Sequence, residues 1–269
     1  MRTEDIARFG QLYLQKGSWN GRTLLRPDWV DLATSRHVSN GSNPKSDWEQ
    51  GYGFQFWRCR NAAYRGDGAF GQYCIVLPEQ DAVIAITSGL KDMQAVLNLI
   101  WEKLLPALAP QRLKRDAPNQ KRLLHRFASL TVRPAEGAAT SPLASKVLGR
   151  KFVFPTNEQK LETVTLSTDP AGHGVTIALQ SAGLTHQFVA GYREWKKGRG
   201  SFSTYVDEPA AATGAWTTDD TFVVKQAFYE TPFYVTRKLR LDGDRLLYDA
   251  ESNVGFRATK QPQLIGRVE

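Results

Sequence analysis

Residues 146–269 are cut into short strand-like runs, and this limits the fold more than any other feature of the chain. Runs at 152–154, 161–166, 175–179, 185–189, 221–228, 234–241 and 245–248 are rich in β-branched and aromatic residues. Turns rich in Gly, Asp and Pro separate them. Strands joined by short turns pair antiparallel with their neighbours, so the pattern predicts a separate antiparallel barrel or sandwich. Leu241, Asp242, Gly243 and Asp244 form a hairpin signal. No internal repeat of fixed period is present. Asp207, Glu208, Asp219 and Asp220 read as turn residues rather than a catalytic pair. Trp195, Trp216, Phe228, Tyr229 and Phe233 could line a ligand cavity, but core packing is the preferred reading, since aromatics dominate the cores of small barrels.

The first half is organised around residues 51–89. Tyr52, Phe54 and Phe56 alternate with Gly53, Gln55 and Trp57, the period of a strand. A turn at Arg60 and Asn61, strands at 73–77 and 82–87, and a turn at 78–81 complete an antiparallel reading. The glycines at 66 and 68 have two readings: a bulge that bends the sheet, or a close backbone approach to a ligand.

Helices are expected on either side of this region. Thr3 followed by Glu4 and Asp5 reads as an N-cap with acids in the first turn, and Gly17 as the stop. Pro27 opens a second helix, and Asp92 starts a long one that closes the domain near Pro106. Residues 109–145 carry Pro110, Pro118, Pro134 and Pro142 and read as a linker holding a short helix at 120–130. The expected class is α+β. Residues 1–108 form an antiparallel sheet with flanking helices, 109–145 the linker, and 146–269 the all-β antiparallel domain.

A hydrophobic fraction of 41% with 23% charged residues is ordinary for a soluble chain. The net charge of +8 would permit attraction to phosphates, yet the basic residues are scattered. Their densest cluster, Arg112, Lys114, Arg115, Lys121, Arg122 and Arg126, has no interleaved aromatic platform and reads as a solvated linker and helix face. No nucleic-acid or membrane partner is expected. Apolar runs such as 82–86 are too short to span a bilayer, and the first residues lack a signal peptide's order of basic then apolar, so the chain as written is expected to be cytoplasmic. Cys59 and Cys74 read as free thiols unless register sets them opposite one another. His37, His125, His173 and His186 are isolated, so neither a metal nor a cofactor is expected.

Taken together, ARFGQLYLQKGSWNGRTLL, a proline-started helix, GYGFQFW and YRGDGAFGQYCIVLPEQDAVIAITSG resemble the C-terminal half of serine hydrolases related to class C β-lactamases and penicillin-binding proteins. The resemblance covers residues 1–108, and the remainder resembles a β-rich domain appended to some of these hydrolases. It implies part of a β-lactamase or transpeptidase-like domain, with amide, ester or β-lactam acyl transfer in the full family. It also implies a cleft wall at Gly66, Asp67, Gly68 and Ala69, or in a slipped register at Gly71 and Gln72. In such a wall a backbone N–H helps hold the oxyanion.

The nucleophile motif of the resembled family is harder to place. Ser-x-x-Lys occurs at Ser42 to Lys45 and at Ser88 to Lys91, and about one match is expected by chance. Pro44 opposes a helical turn at the first, and the second falls where the family has structure rather than catalysis. Tyr-x-Asn is absent, and Ser18, Trp19, Asn20 match Ser-x-Asn only in a turn. The resemblance therefore implies no catalytic residue in this chain. It implies a hydrolase portion inactive alone, which would meet a small-molecule substrate only if a missing N-terminal part were supplied. A sheet without its partner strands would expose an apolar face and an edge that could recruit a partner or a second copy. Two alternatives stand beside it: a non-catalytic binding or interaction protein built on the β-rich domain, and an autonomous enzyme using Ser88 or another serine outside any motif.

Overall fold

Acids at the start of the chain do begin a helix. Asp5 accepts from the Arg2 backbone N–H at 3.1 Å, and α1 runs Thr3–Leu14, with Arg2 rather than Thr3 as its cap. The computed structural model describes residues 2–111, 113–172, 174–202 and 205–269, with Tyr205 described by its backbone alone. Arg112 and His173, named above, lie outside the described residues. The chain divides into two units, Met1–His125 and Arg126–Glu269.

In the first unit, β1 (Ser18–Trp19) and β2 (Arg22–Thr23) form a small ribbon, and Pro27 opens α2 (Pro27–Thr34). Strands β3 (Trp57–Arg58), β4 (Tyr64–Gly68), β5 (Gln72–Leu77) and β6 (Ala82–Ile86) then pair antiparallel in chain order. The strand expected at 52–57 is mostly a hook. Gln55 takes a φ of +64°, a Cβ on Gly53 would strike the Ala33 carbonyl, and only Trp57 enters the sheet. The long helix expected from Asp92 is α3 (Met93–Leu99), capped by Asp92 accepting from Ala95 N at 3.0 Å. It passes into a wider π turn at Ile100–Leu104 and a 3-10 turn at Leu105–Ala107, before Pro106 can disturb a regular helix.

Alternation along β5 sends Tyr73, Ile75 and Leu77 to one face, against Leu97, Ile100 and Trp101. Val76 and Tyr64 face the other side, with Phe56, Tyr13 and Leu14. The expectation of a bare apolar sheet face is thereby corrected: α1 and the α3 segment cover one face each. Cys59 and Cys74 are buried and both free.

The second unit begins within α4 (Ala117–Ala128), whose residues are all exposed. Beyond it come β7 (Lys151–Val153), β8 (Leu161–Thr168), β9 (Gly174–Ser181), β10 (Leu184–Gly191), β11 (Lys196–Phe202), β12 (Tyr205–Thr218), β13 (Thr221–Ala227), β14 (Tyr234–Asp242), β15 (Arg245–Ser252) and β16 (Leu264–Val268). Among the described residues each pairs antiparallel with the next in sequence, except β10 with β11, and β16 returns to β7. The ten-stranded sheet curls until Gly191 of β10 bridges Thr213 of β12, closing a barrel. The barrel alternative of the sequence reading is thus the observed one, while the hydrolase-like domain assigned to the first half is not supported. Residues 132–141 run along the barrel: Trp195 donates to the Val132 carbonyl at 2.7 Å, and Ala138 bridges Trp216. Among the described residues, no helix is long and apolar enough to cross a membrane.

Candidate functional site

The barrel core is not filled uniformly. Phe152, Val164, Leu166, Ile177, Phe222, Leu239 and Leu246 are among the side chains that pack its interior densely. Farther along the same strands the inward positions become mixed. Leu179 and Ser181 on β9, His186 and Phe188 on β10, Gln226 on β13, Arg237 on β14 and Tyr248 on β15 surround a cavity of about 200 Å³. A second, wider space of about 610 Å³ shares Gln159, Ser201, Phe202, Arg237 and Tyr248 with it. The apolar side chains of Phe202, Phe233, Val235 and Val254 line this outer part, and exposed Phe256 stands in the β15–β16 connection at its rim.

Arg237 is the unusual member. Period-2 alternation puts it in the inward phase with Val235 and Leu239, and it is 7% exposed. Its Nε donates to the Tyr248 hydroxyl at 3.1 Å and its Nη1 to Gln226 Oε1 at 3.1 Å. Both partners sit on neighbouring strands, two residues off direct register, within reach of a long side chain. The Phe188 ring lies 6.0 Å from the guanidinium carbon. Among the described residues no carboxylate forms an ion pair with Arg237. A buried guanidinium whose hydrogen bonds among the described residues go to neutral acceptors can still donate charge-assisted hydrogen bonds to an anion.

None of the candidate cleft-wall residues lies here. Gly66, Asp67 and Gly68 are in β4, and Ala69, Gly71 and Gln72 complete the β4–β5 hairpin, with Gly68 opposite Gln72. The hairpin brings Gln72 to Ser88. Its side-chain amide donates to the Ser88 and Ala69 carbonyls, and the Ser88 hydroxyl is directed at the carbonyls of Phe70 and Gly71, at 3.0 and 2.7 Å. Ser88 therefore spends its proton tying the hairpin to β6. Asp67 is ion-paired with Arg65, Nε to Oδ2 at 2.9 Å, and burial pushes its carboxyl above the usual range despite that partner. Arg65 also reaches the Asp47 carbonyl at 2.8 Å and Cys59 Sγ at 3.1 Å, under the Trp48 ring. Burial pushes the Cys59 thiol up to about 11 against the pull of Arg65.

Buried Asp47 anchors a second network. It accepts from Arg60 at 2.7 Å, Gln94 at 2.7 Å and Trp101 at 2.9 Å. Burial opposes its charge, but these bonds together outweigh burial and hold the carboxyl below its ordinary value. Among the described residues no group of His, Cys, Asp and Glu could hold a metal ion.

The sequence reading missed Arg237, Gln226 and Tyr248. The available signal was a charged residue in the inward phase of YVTRKLRLD, where its neighbours two apart are apolar. Of the aromatics named there, Trp216 and Phe228 are core, Phe233 lines the outer cavity and Tyr229 is exposed.

No protein-family model matches the chain, and no curated protein matches it. Solved structures similar to it include As-p18, an extracellular fatty acid binding protein, at 12% identity and a TM-score of 0.36, over 48% of this chain and 99% of that one. A fatty acid binding protein from Drosophila melanogaster brain tissue matches at 11% identity and a TM-score of 0.34, over 45% of this chain and 98% of that one. A Schistosoma mansoni fatty acid binding protein in complex with arachidonic acid matches at 12% identity and a TM-score of 0.33, over 46% and 96%. The expected membership in the β-lactamase-related serine hydrolases, and the hydrolase function with it, is corrected: no family model or curated protein matches the chain, and the solved structures similar to it are named as fatty acid binding proteins.

Proposed function

We propose that the C-terminal barrel is a non-catalytic binding module for a small amphipathic anion. The observation that carries this reading is Arg237, a buried cation facing a cavity with neutral partners among the described residues. An anionic head group placed there would accept charge-assisted hydrogen bonds in a medium of low dielectric constant, where they are strongest. The apolar part of the ligand would extend past Phe202 toward Phe233, Val235 and Val254. Such a pocket, largely apolar with a few convergent polar groups, is the usual form of a small-molecule site.

Calorimetric titration of the full chain with a medium-chain alkyl carboxylate and with its methyl ester tests the reading. The carboxylate is expected to bind at least about tenfold more tightly than the ester, a difference of about 1.4 kcal/mol. Arg237→Met is expected to abolish that preference while leaving ester binding in place. Equal affinity for acid and ester, or no binding of either, overturns the proposal.

A further inference from the structure

We propose that α4 is an interfacial helix that docks the protein on an anionic lipid surface. This inference does not depend on what the barrel binds. Asp116 starts the helix by accepting from Asn119 N at 3.0 Å, and its carboxylate is occupied there. After it the chain carries no acid until Glu136, while Lys121, Arg122, Arg126 and Arg133 follow in between. At helical spacing, Leu123, Leu124 and Phe127 form one face, and a final turn from Phe127 to Leu130 extends it. Lys121, Arg122, His125 and Arg126 occupy the opposite face.

Neither face is packed. Leu123, Leu124, Phe127 and Leu130 are 51%, 60%, 58% and 60% exposed, and every residue of the helix is exposed. A helix with a continuous apolar stripe normally covers it against a core. The partner has to satisfy both halves at once. Nucleic acid would meet the cations but leave the leucines in water. A second copy of the helix would bury the leucines but bring like charges together. An anionic bilayer surface accepts both, taking the apolar stripe into the head-group boundary and the lysine and arginine heads against the lipid phosphates. The expectation of no membrane partner, drawn from the lack of a spanning segment, does not extend to this mode, because such a helix lies in the surface and crosses nothing.

Sedimentation of the full chain with phosphatidylcholine vesicles, with and without phosphatidylserine, tests the proposal. Binding is expected only with phosphatidylserine, weakening as salt rises. Two variants separate the contributions: Leu123→Ser with Phe127→Ser, and Lys121→Glu with Arg122→Glu and Arg126→Glu. All five positions are exposed, so both variants should keep the wild-type melting behaviour, and each should lower vesicle partitioning at least about tenfold. Binding that survives in both variants, or that is equal on neutral vesicles, overturns the proposal. So does tight binding to duplex DNA that the leucine and phenylalanine changes leave intact, since that result assigns the helix to nucleic acid.

Discussion

Arg237 and Tyr248 lie on adjacent barrel strands, and the Nε of the first donates to the hydroxyl of the second at 3.1 Å. The pairing fixes the guanidinium within the cavity. Tyr248→Phe removes the acceptor and leaves a buried N–H without a partner, which should lower stability by about 1–3 kcal/mol. An anionic ligand would supply a new acceptor. Added alkyl carboxylate should therefore raise the melting temperature of the variant by more than it raises that of the wild type. Equal gains would show that the ligand does not meet this guanidinium.

Asp47 is the acceptor on which Arg60, Gln94 and Trp101 converge. Asp47→Ala takes the acceptor from the Trp101 indole N–H and leaves the Arg60 and Gln94 side-chain donors only their bonds to Asn98 Oδ1, so it should destabilise the first unit by about 3–5 kcal/mol. Urea unfolding followed by tryptophan fluorescence reads this directly. A loss below about 1 kcal/mol would mean that water replaces the carboxylate freely.

The same carboxyl predicts an acid limb. Its folded value is lowered, so the stabilisation it provides is complete above the ordinary carboxyl value of 3.8 and is lost as pH falls through the lower folded value. Stability measured from pH 6 downwards should decline more steeply in wild type than in Asp47→Asn, which has no proton to take up. Parallel slopes in the two proteins would assign acid sensitivity elsewhere.

Two glycines of the β4–β5 hairpin should respond in opposite directions. Gly71 has φ +87° and a Cβ there would overlap the Ser88 hydroxyl, so Gly71→Ala should cost about 1–3 kcal/mol. A Cβ on Gly66 would meet only Cys74 Cβ at 3.7 Å, so Gly66→Ala should raise stability by about 0.4–1 kcal/mol through the unfolded chain. Thermal melts of both variants check the contrast. A comparable loss at Gly66 would indicate that this backbone needs glycine for a reason other than space.

Much of the barrel was legible because its signals are local. The apolar alternation at 161–166, 175–179, 185–189, 221–228, 234–241 and 245–248 corresponds to β8, β9, β10, β13, β14 and β15, and the hairpin at Asp242 and Gly243 is present. β11 and β12 were hidden. KKGRGSF has no apolar phase, and Glu208, taken for a turn residue, is opposite Gly200 in a ladder. The AAATGA segment of β12 carries small residues because the interior is crowded there: a Cβ on Gly214 would strike the Phe222 ring. Crowding of this kind depends on residues distant in sequence.

The sequence by itself determined where the chain turns, which residues alternate between faces and where helices begin, because caps, proline and glycine act over a few residues. Only the tertiary structure decided that the strands close into a barrel, since closure depends on β16 finding β7 across more than a hundred residues of chain. It likewise decided that Arg237, one basic residue among 35 Lys and Arg, faces a cavity, because a side chain acquires an environment only when strands from several parts of the chain surround it. The glycines at 66, 68 and 71 show the converse. Gly66 and Gly68 read locally as a bulge or a close approach to a ligand, and only the family resemblance made them, or Gly71 in a slipped register, a cleft wall; the strands around them place Gly71 in a hairpin held by Ser88 and give Gly66 ordinary room.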